Sequence, residues 1–189
     1  MAGAIIHIGC LLAALVAADG GAPSKDRARP PGRADVEAAL AKGGSPAELQ
    51  HWAATADGVL MALAADRAAS ETVRGRALAA LAYAGNGRVH AFLENFVIEK
   101  APSTSPLDRV LVRRAAVSLG WQGGARVVEI VAPLLDSPDA DVRLDAAAAL
   151  GLTRARDAEA PLRARLAVET DPGVKRQLES AIKAVSAAR

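Results

Sequence analysis

Apolar and small residues recur in four stretches that can be laid over one another: VRGRALAALA from Val73, LVRRAAVSLG from Leu111, VRLDAAAALG from Val142 and VKRQLESAIK from Val174. Three columns stay in phase. The first holds Val73, Leu111, Val142 and Val174, the second Ala77, Ala115, Ala146 and Leu178, and the third Leu81, Leu119, Leu150 and Ile182. Successive stretches are offset by 38, 31 and 32 residues. A spacing of four within each stretch puts the columns on one face of an α-helix. A fixed period of this size marks a repeat protein, in which each unit buries its apolar face against its neighbours. The seven-residue excess of the first interval falls on residues 101–107, APSTSPL, a Pro/Ser loop where extra residues leave the helices intact.

Each of the first three stretches is followed by a turn and a second apolar segment, predicted as helices over 89–99, 125–135 and 158–169. A looser upstream pair is predicted over 46–56 and 58–67. Ser45-Pro46-Ala47-Glu48 starts it with a capping Ser, a Pro in the first turn and a Glu three residues on. The small residues Ala77, Ala115 and Ala146 are expected to let neighbouring helices approach closely. The last stretch begins at Asp171-Pro172-Gly173 and has no partner helix after it. Leu178, Ile182 and Val185 give it one apolar stripe, with Lys175, Arg176, Glu179 and Lys183 facing away, as expected of a terminal cap.

VRLDAAAALG after the turn SPDAD resembles the first helix of a HEAT repeat, in particular the short kind of about 30 residues also found in phycobilisome lyases. The resemblance covers residues 45–185 and is strongest from Asp108 onward. It implies an all-α fold: a right-handed α-solenoid of about four short helix pairs with a C-terminal capping helix, second helices lining the concave face. It is nearly silent on function, because such repeats serve many unrelated ones.

Before the repeats the pattern changes. Residues 1–18 contain no Asp, Glu, Lys or Arg, and residues 8–17 form an apolar run with Val16-Ala17-Ala18 at its end. This reads as a signal peptide cut after Ala18, although no Lys or Arg stands near its start. An uncleaved membrane anchor and a buried first helix are the alternatives. Cys10 follows Gly9, but the apolar run continues past it, unlike a lipobox cysteine. With the leader removed the chain has no cysteine, hence no disulfide, thiolate nucleophile or Cys-zinc site. Residues 19–33, DGGAPSKDRARPPGR, read as a flexible linker, leaving 34–189 as the repeat domain.

Composition narrows the function classes. Aromatics are 3% of the chain against 51% hydrophobic residues, so the core is aliphatic and no stacking platform for single-stranded nucleic acid is expected. With 23 basic and 21 acidic residues the net charge is +2, and the two signs are interspersed rather than gathered in a basic stripe. The 18 Arg against 5 Lys, with abundant Ala, fit a GC-rich bacterial genome.

The chemistry-bearing motifs are absent. There is no GxSxG elbow, no P-loop lysine and no HExxH, and neither His51 nor His90 has the second ligand of an HExxH-type pair within four residues. Catalytic, cofactor-binding and metal-binding residues are therefore all expected to be none, and cofactors none. Gly85-Asn86-Gly87 and Gly123-Gly124 are expected to end helices, and Asp139 and Asp141 to serve a helix start. Trp121 aligns with Tyr83 and Leu152, a column assigned to packing.

The reading that follows is a non-catalytic, exported interaction scaffold, periplasmic or extracellular, or anchored to the inner membrane if the leader is kept. It would hold a protein or peptide on its concave face. Phase along the second helices offers Glu94, Arg126, Glu129, Arg163 and Arg165 as partner-binding candidates. A nucleic-acid-binding repeat protein and an accessory subunit of an enzyme are the alternatives. The export leader and near-neutral charge weigh against nucleic acid.

Overall fold

Capping side chains set most helix starts in this chain. In the computed structural model, which describes residues 31–188, Ser45, Ser70, Asn86, Ser105, Asp139 and Asp171 each accept a hydrogen bond from a backbone N–H in the first turn that follows. These side chains satisfy donors that a helix start leaves without intrahelical partners. The helices are α1 Arg33–Lys42, α2 Pro46–Thr55, α3 Asp57–Ala65, α4 Glu71–Leu81, α5 Gly87–Lys100, α6 Pro106–Gln122, α7 Ala125–Val131, α8 Ala140–Thr153, α9 Glu159–Val168 and α10 Pro172–Ala187. The protein is all-α, with no strand among the described residues. The leader, Cys10 and nearly all of the expected linker lie outside those residues. No helix among the described residues is long and apolar enough to cross a membrane.

The four aligned stretches lie in α4, α6, α8 and α10, and each of these helices packs on the next. α3 packs on α4, α5 on α6, and α9 on α10. A 3₁₀ turn, Ala132–Asp136, takes that place against α8, because Pro133 shortens α7. All three columns are buried at every aligned position.

Two features depart from the sequence expectation. α1 was not foreseen. It begins at Arg33, inside the expected linker, and buries Val36 and Leu40, one turn apart. Arg76 Nη1 donates to the carbonyls of Leu40 and Ala41 at its C-terminus. Glycines five positions after Ala115 and Ala146 also mark close backbone approaches that the repeat pattern does not suggest. A Cβ on Gly120 would stand 2.4 Å from the carbonyl oxygen of Ala149, and one on Gly151 would stand 2.9 Å from the Cα of Ala181. Only a residue without a side chain lets α6 meet α8, and α8 meet α10, at this distance.

The end of the array is tied by buried charge. Arg143 on α8 holds Glu169 through Nε at 2.8 Å and Nη2 at 2.9 Å, and its Nη1 donates to the carbonyls of Ser137 and Pro138. Glu169, 3% exposed, also accepts from the backbone N–H groups of Thr170 and Asp171 and from Arg165 Nε. The Arg143 hydrogen bonds hold the Glu169 carboxyl well below the usual carboxylate range, against the opposing effect of burial.

Candidate functional site

α6 runs one turn past the third-column Leu119 and stops at Gly123 and Gly124, whose φ angles of 71° and 111° favour glycine. That extra turn has a structural cause. Gln122 Nε2 donates to the carbonyls of Leu81 and Ala84 at 2.8 and 3.1 Å, satisfying acceptors at the end of α4. Gln122 Oε1 is left to pair with His90 Nδ1 at 2.9 Å, so the proton of that bond sits on the imidazole. Asn86 is occupied as well: its Oδ1 caps α5 at Val89 N–H and its Nδ2 donates to Asp57.

The groove that results has a volume of about 430 Å³ and is lined by Tyr83, Asn86, His90, Trp121 and Gln122, with small residues between them. Tyr83 is 39% and Trp121 50% exposed, whereas most large apolar side chains among the described residues are buried. The packing role expected for this column therefore does not hold for Trp121 and Tyr83. Tyr83 stands just after the end of α4 and Trp121 in the last turn of α6, where first helices give way to second ones. Asn86, His90 and Gln122 around them are all hydrogen-bonded, which restrains the groove. It offers an aromatic surface for an apolar or planar group. Among the described residues no serine, threonine or cysteine lines it beside His90.

The five residues chosen by phase are dispersed. Glu94 is 7% exposed and is consumed internally, with Oε2 3.3 Å from Arg126 Nη1 and Oε1 3.4 Å from His90 Nε2. Arg165 is mostly buried in the Glu169 cluster, where it also stands 3.7 Å from Asp136. Neither presents a free surface, and the phase argument fails for them because it counts helix face and ignores tertiary partners. Arg126 and Glu129 are exposed, and so is Arg163, which pairs with Glu159 four residues before it. Only Glu94 and Arg126 are brought together. Among the described residues no group of three or more His, Cys, Asp or Glu is arranged to hold a metal ion.

The groove was missed because the aromatics were weighed by column. Their position was the available signal: both stand at the end of a first helix, directly before Gly-rich turns. No protein-family model matches the chain, and no curated protein matches it in sequence.

Proposed function

We propose that this protein is an exported, non-catalytic interaction scaffold, a short right-handed α-solenoid of HEAT-like helix pairs closed at its C-terminal end by α10. The consecutive packing of α4, α6, α8 and α10, with the same glycine-mediated approach at two successive steps, supports the solenoid. The functional part rests on one observation, the half-exposed Trp121 and the exposed Tyr83 in one groove whose Asn86, His90 and Gln122 are already paired. Aromatic anchors in a fixed pocket are the residues that dominate protein interfaces. The occupant we favour is an apolar side chain of a protein partner, inserted between the two rings. This places the contact at the turn edge rather than along the second helices.

The test is retention of partner proteins by the immobilised mature chain from its native compartment, wild type against Trp121→Ser. The substitution is expected to cost about 2 kcal/mol or more of binding, roughly thirtyfold in Kd, while the melting temperature moves little. Arg163→Ala, a rim-like exposed charge, should change retention by less than about threefold. A partner held equally by the Trp121→Ser protein would refute the groove as the docking site.

A further inference from the structure

The repeat supplies its own comparison for a second buried arginine. Arg74 on α4 and Arg143 on α8 hold the same position, each directly after the first-column valine, Val73 or Val142. Arg143 has all three side-chain nitrogens engaged, two of them on the Glu169 carboxylate 26 residues ahead. Arg74 is only 4% exposed, yet it makes a single hydrogen bond, from Nε to the carbonyl of Ala64 at 3.1 Å. Among the described residues its two terminal nitrogens bond nothing. Since no fully buried side-chain nitrogen or oxygen there lacks a partner, they retain some exposure, and Arg74 lines a cavity.

The residue 26 positions beyond Arg74 is Lys100, so the repeat carries a cation where its counterpart carries Glu169. Lys100 lines the same cavity of about 240 Å³, with Arg67 and Asn95. Phe92 and Phe96, ring centroids 5.9 Å apart, give it an apolar wall. Two carboxylates need accounting. Glu99 lines the cavity but is exposed and pairs with Lys100 at 3.0 Å. Asp66 is within electrostatic reach of Arg74, but it accepts from Ala68 N–H at 2.8 Å and pairs with Arg33. The cavity therefore combines three cations with one carboxylate, around a buried guanidinium whose outer edge is unsatisfied. A guanidinium edge that has no protein partner on a confined cavity is met bidentately by a carboxylate.

We propose that the Arg74 cavity is a binding site for a carboxylate supplied from outside the chain, taking the place that Glu169 occupies at Arg143. With Nε committed to Ala64, the carboxylate is held end-on by Nη1 and Nη2. Lys100 provides the second charge, and the carbon skeleton lies along Phe92 and Phe96. The ligand class is a carboxylate with a small apolar body, carried either by a free small acid or by the chain end of a peptide. This site is separate from the aromatic groove and does not depend on it.

The full chain would be titrated with isovalerate and with its uncharged amide, following the Arg74 Nε–H signal by NMR. Isovalerate should saturate, and the amide should bind at least tenfold more weakly. Lys100→Glu provides the decisive variant, because it restores the internal carboxylate. It should weaken isovalerate binding at least tenfold while raising the melting temperature, a combination that a merely damaged fold does not give. Arg74→Lys should also lose binding tenfold. A tripeptide ending in leucine carboxylate assigns the source: binding tenfold tighter than isovalerate indicates a chain end, and equal binding a free acid. Equal binding of acid and amide, shifts that never saturate, or unaltered isovalerate binding by Lys100→Glu would overturn the proposal.

Discussion

Replacing Glu169 with Ala is expected to lower stability by about 3–5 kcal/mol at neutral pH, because it leaves the Arg143 guanidinium buried without its carboxylate. For a domain of this size that corresponds to roughly 6–20 °C in melting temperature. The same change removes the acceptor for the N–H groups of Thr170 and Asp171, which prepare the turn into α10. A double variant, Arg143→Met with Glu169→Leu, should recover most of the loss, since an apolar pair of similar volume needs no compensating charge. The pH dependence follows from the sign of the shift. Glu169 has a folded-state pKa below its ordinary value of 4.5, so its contribution is complete above that value and fades as pH falls toward the folded one. Urea unfolding from pH 7 down to pH 3 should show the gap between wild type and Glu169→Ala narrowing below about pH 4.5. A gap that stays constant across that range would mean the carboxylate charge is not what stabilises the turn.

Gly120→Ala and Gly75→Ala should move stability in opposite directions, although both place alanine inside a helix. At Gly120 the new Cβ would meet the carbonyl oxygen, Cα and carbonyl carbon of Ala149 at 2.4, 2.8 and 2.9 Å. Those are backbone atoms of α8, so the helices themselves must part. Overpacking of this kind costs about 1–3 kcal/mol, and the upper end is expected where no side chain can give way. At Gly75 the nearest atom would be Arg114 Cγ at 3.9 Å, an ordinary contact. There the helix propensity of alanine should prevail, with a gain of about 0.5–1 kcal/mol. Denaturant midpoints of the two variants decide it. A stabilised Gly120→Ala protein would show that α6 and α8 do not approach as closely as described.

The aligned stretches were legible in the sequence because a four-residue spacing of Val, Ala and Leu has one meaning on a helix, and capping residues such as Ser45, Asp139 and Asp171 stand just before it. α1 escaped notice because its buried pair, Val36 and Leu40, follows the Pro- and Arg-rich stretch and lacks the repeat's period. The glycines at 120 and 151 carry no signal of their own in the sequence, because their role comes from a backbone in the next helix that no local pattern encodes. The site was less legible still. Exposed and buried ends of one column cannot be told apart by phase, so Trp121 was assigned to packing and Glu94 to the surface. The Arg74 cavity has a sequence trace, Lys100 where Glu169 stands a repeat later, but that trace acquires meaning only once the Arg143–Glu169 pair is seen.

Deleting one whole repeat, residues 142–173, tests whether stacked repeats build this protein. The deletion joins Asp141 to Val174, keeps Asp139 as the cap, and brings Gly120 opposite Ala181, which stands 32 positions beyond Ala149. It also removes Arg143 and Glu169 together, leaving neither charge stranded. In an array where each unit contacts only its neighbours, the shortened chain should remain helical and monomeric and unfold cooperatively at a lower temperature. Circular dichroism melting with light scattering gives the answer. A shortened chain without cooperative unfolding would contradict the account and point to a single core that needs all of its helices at once.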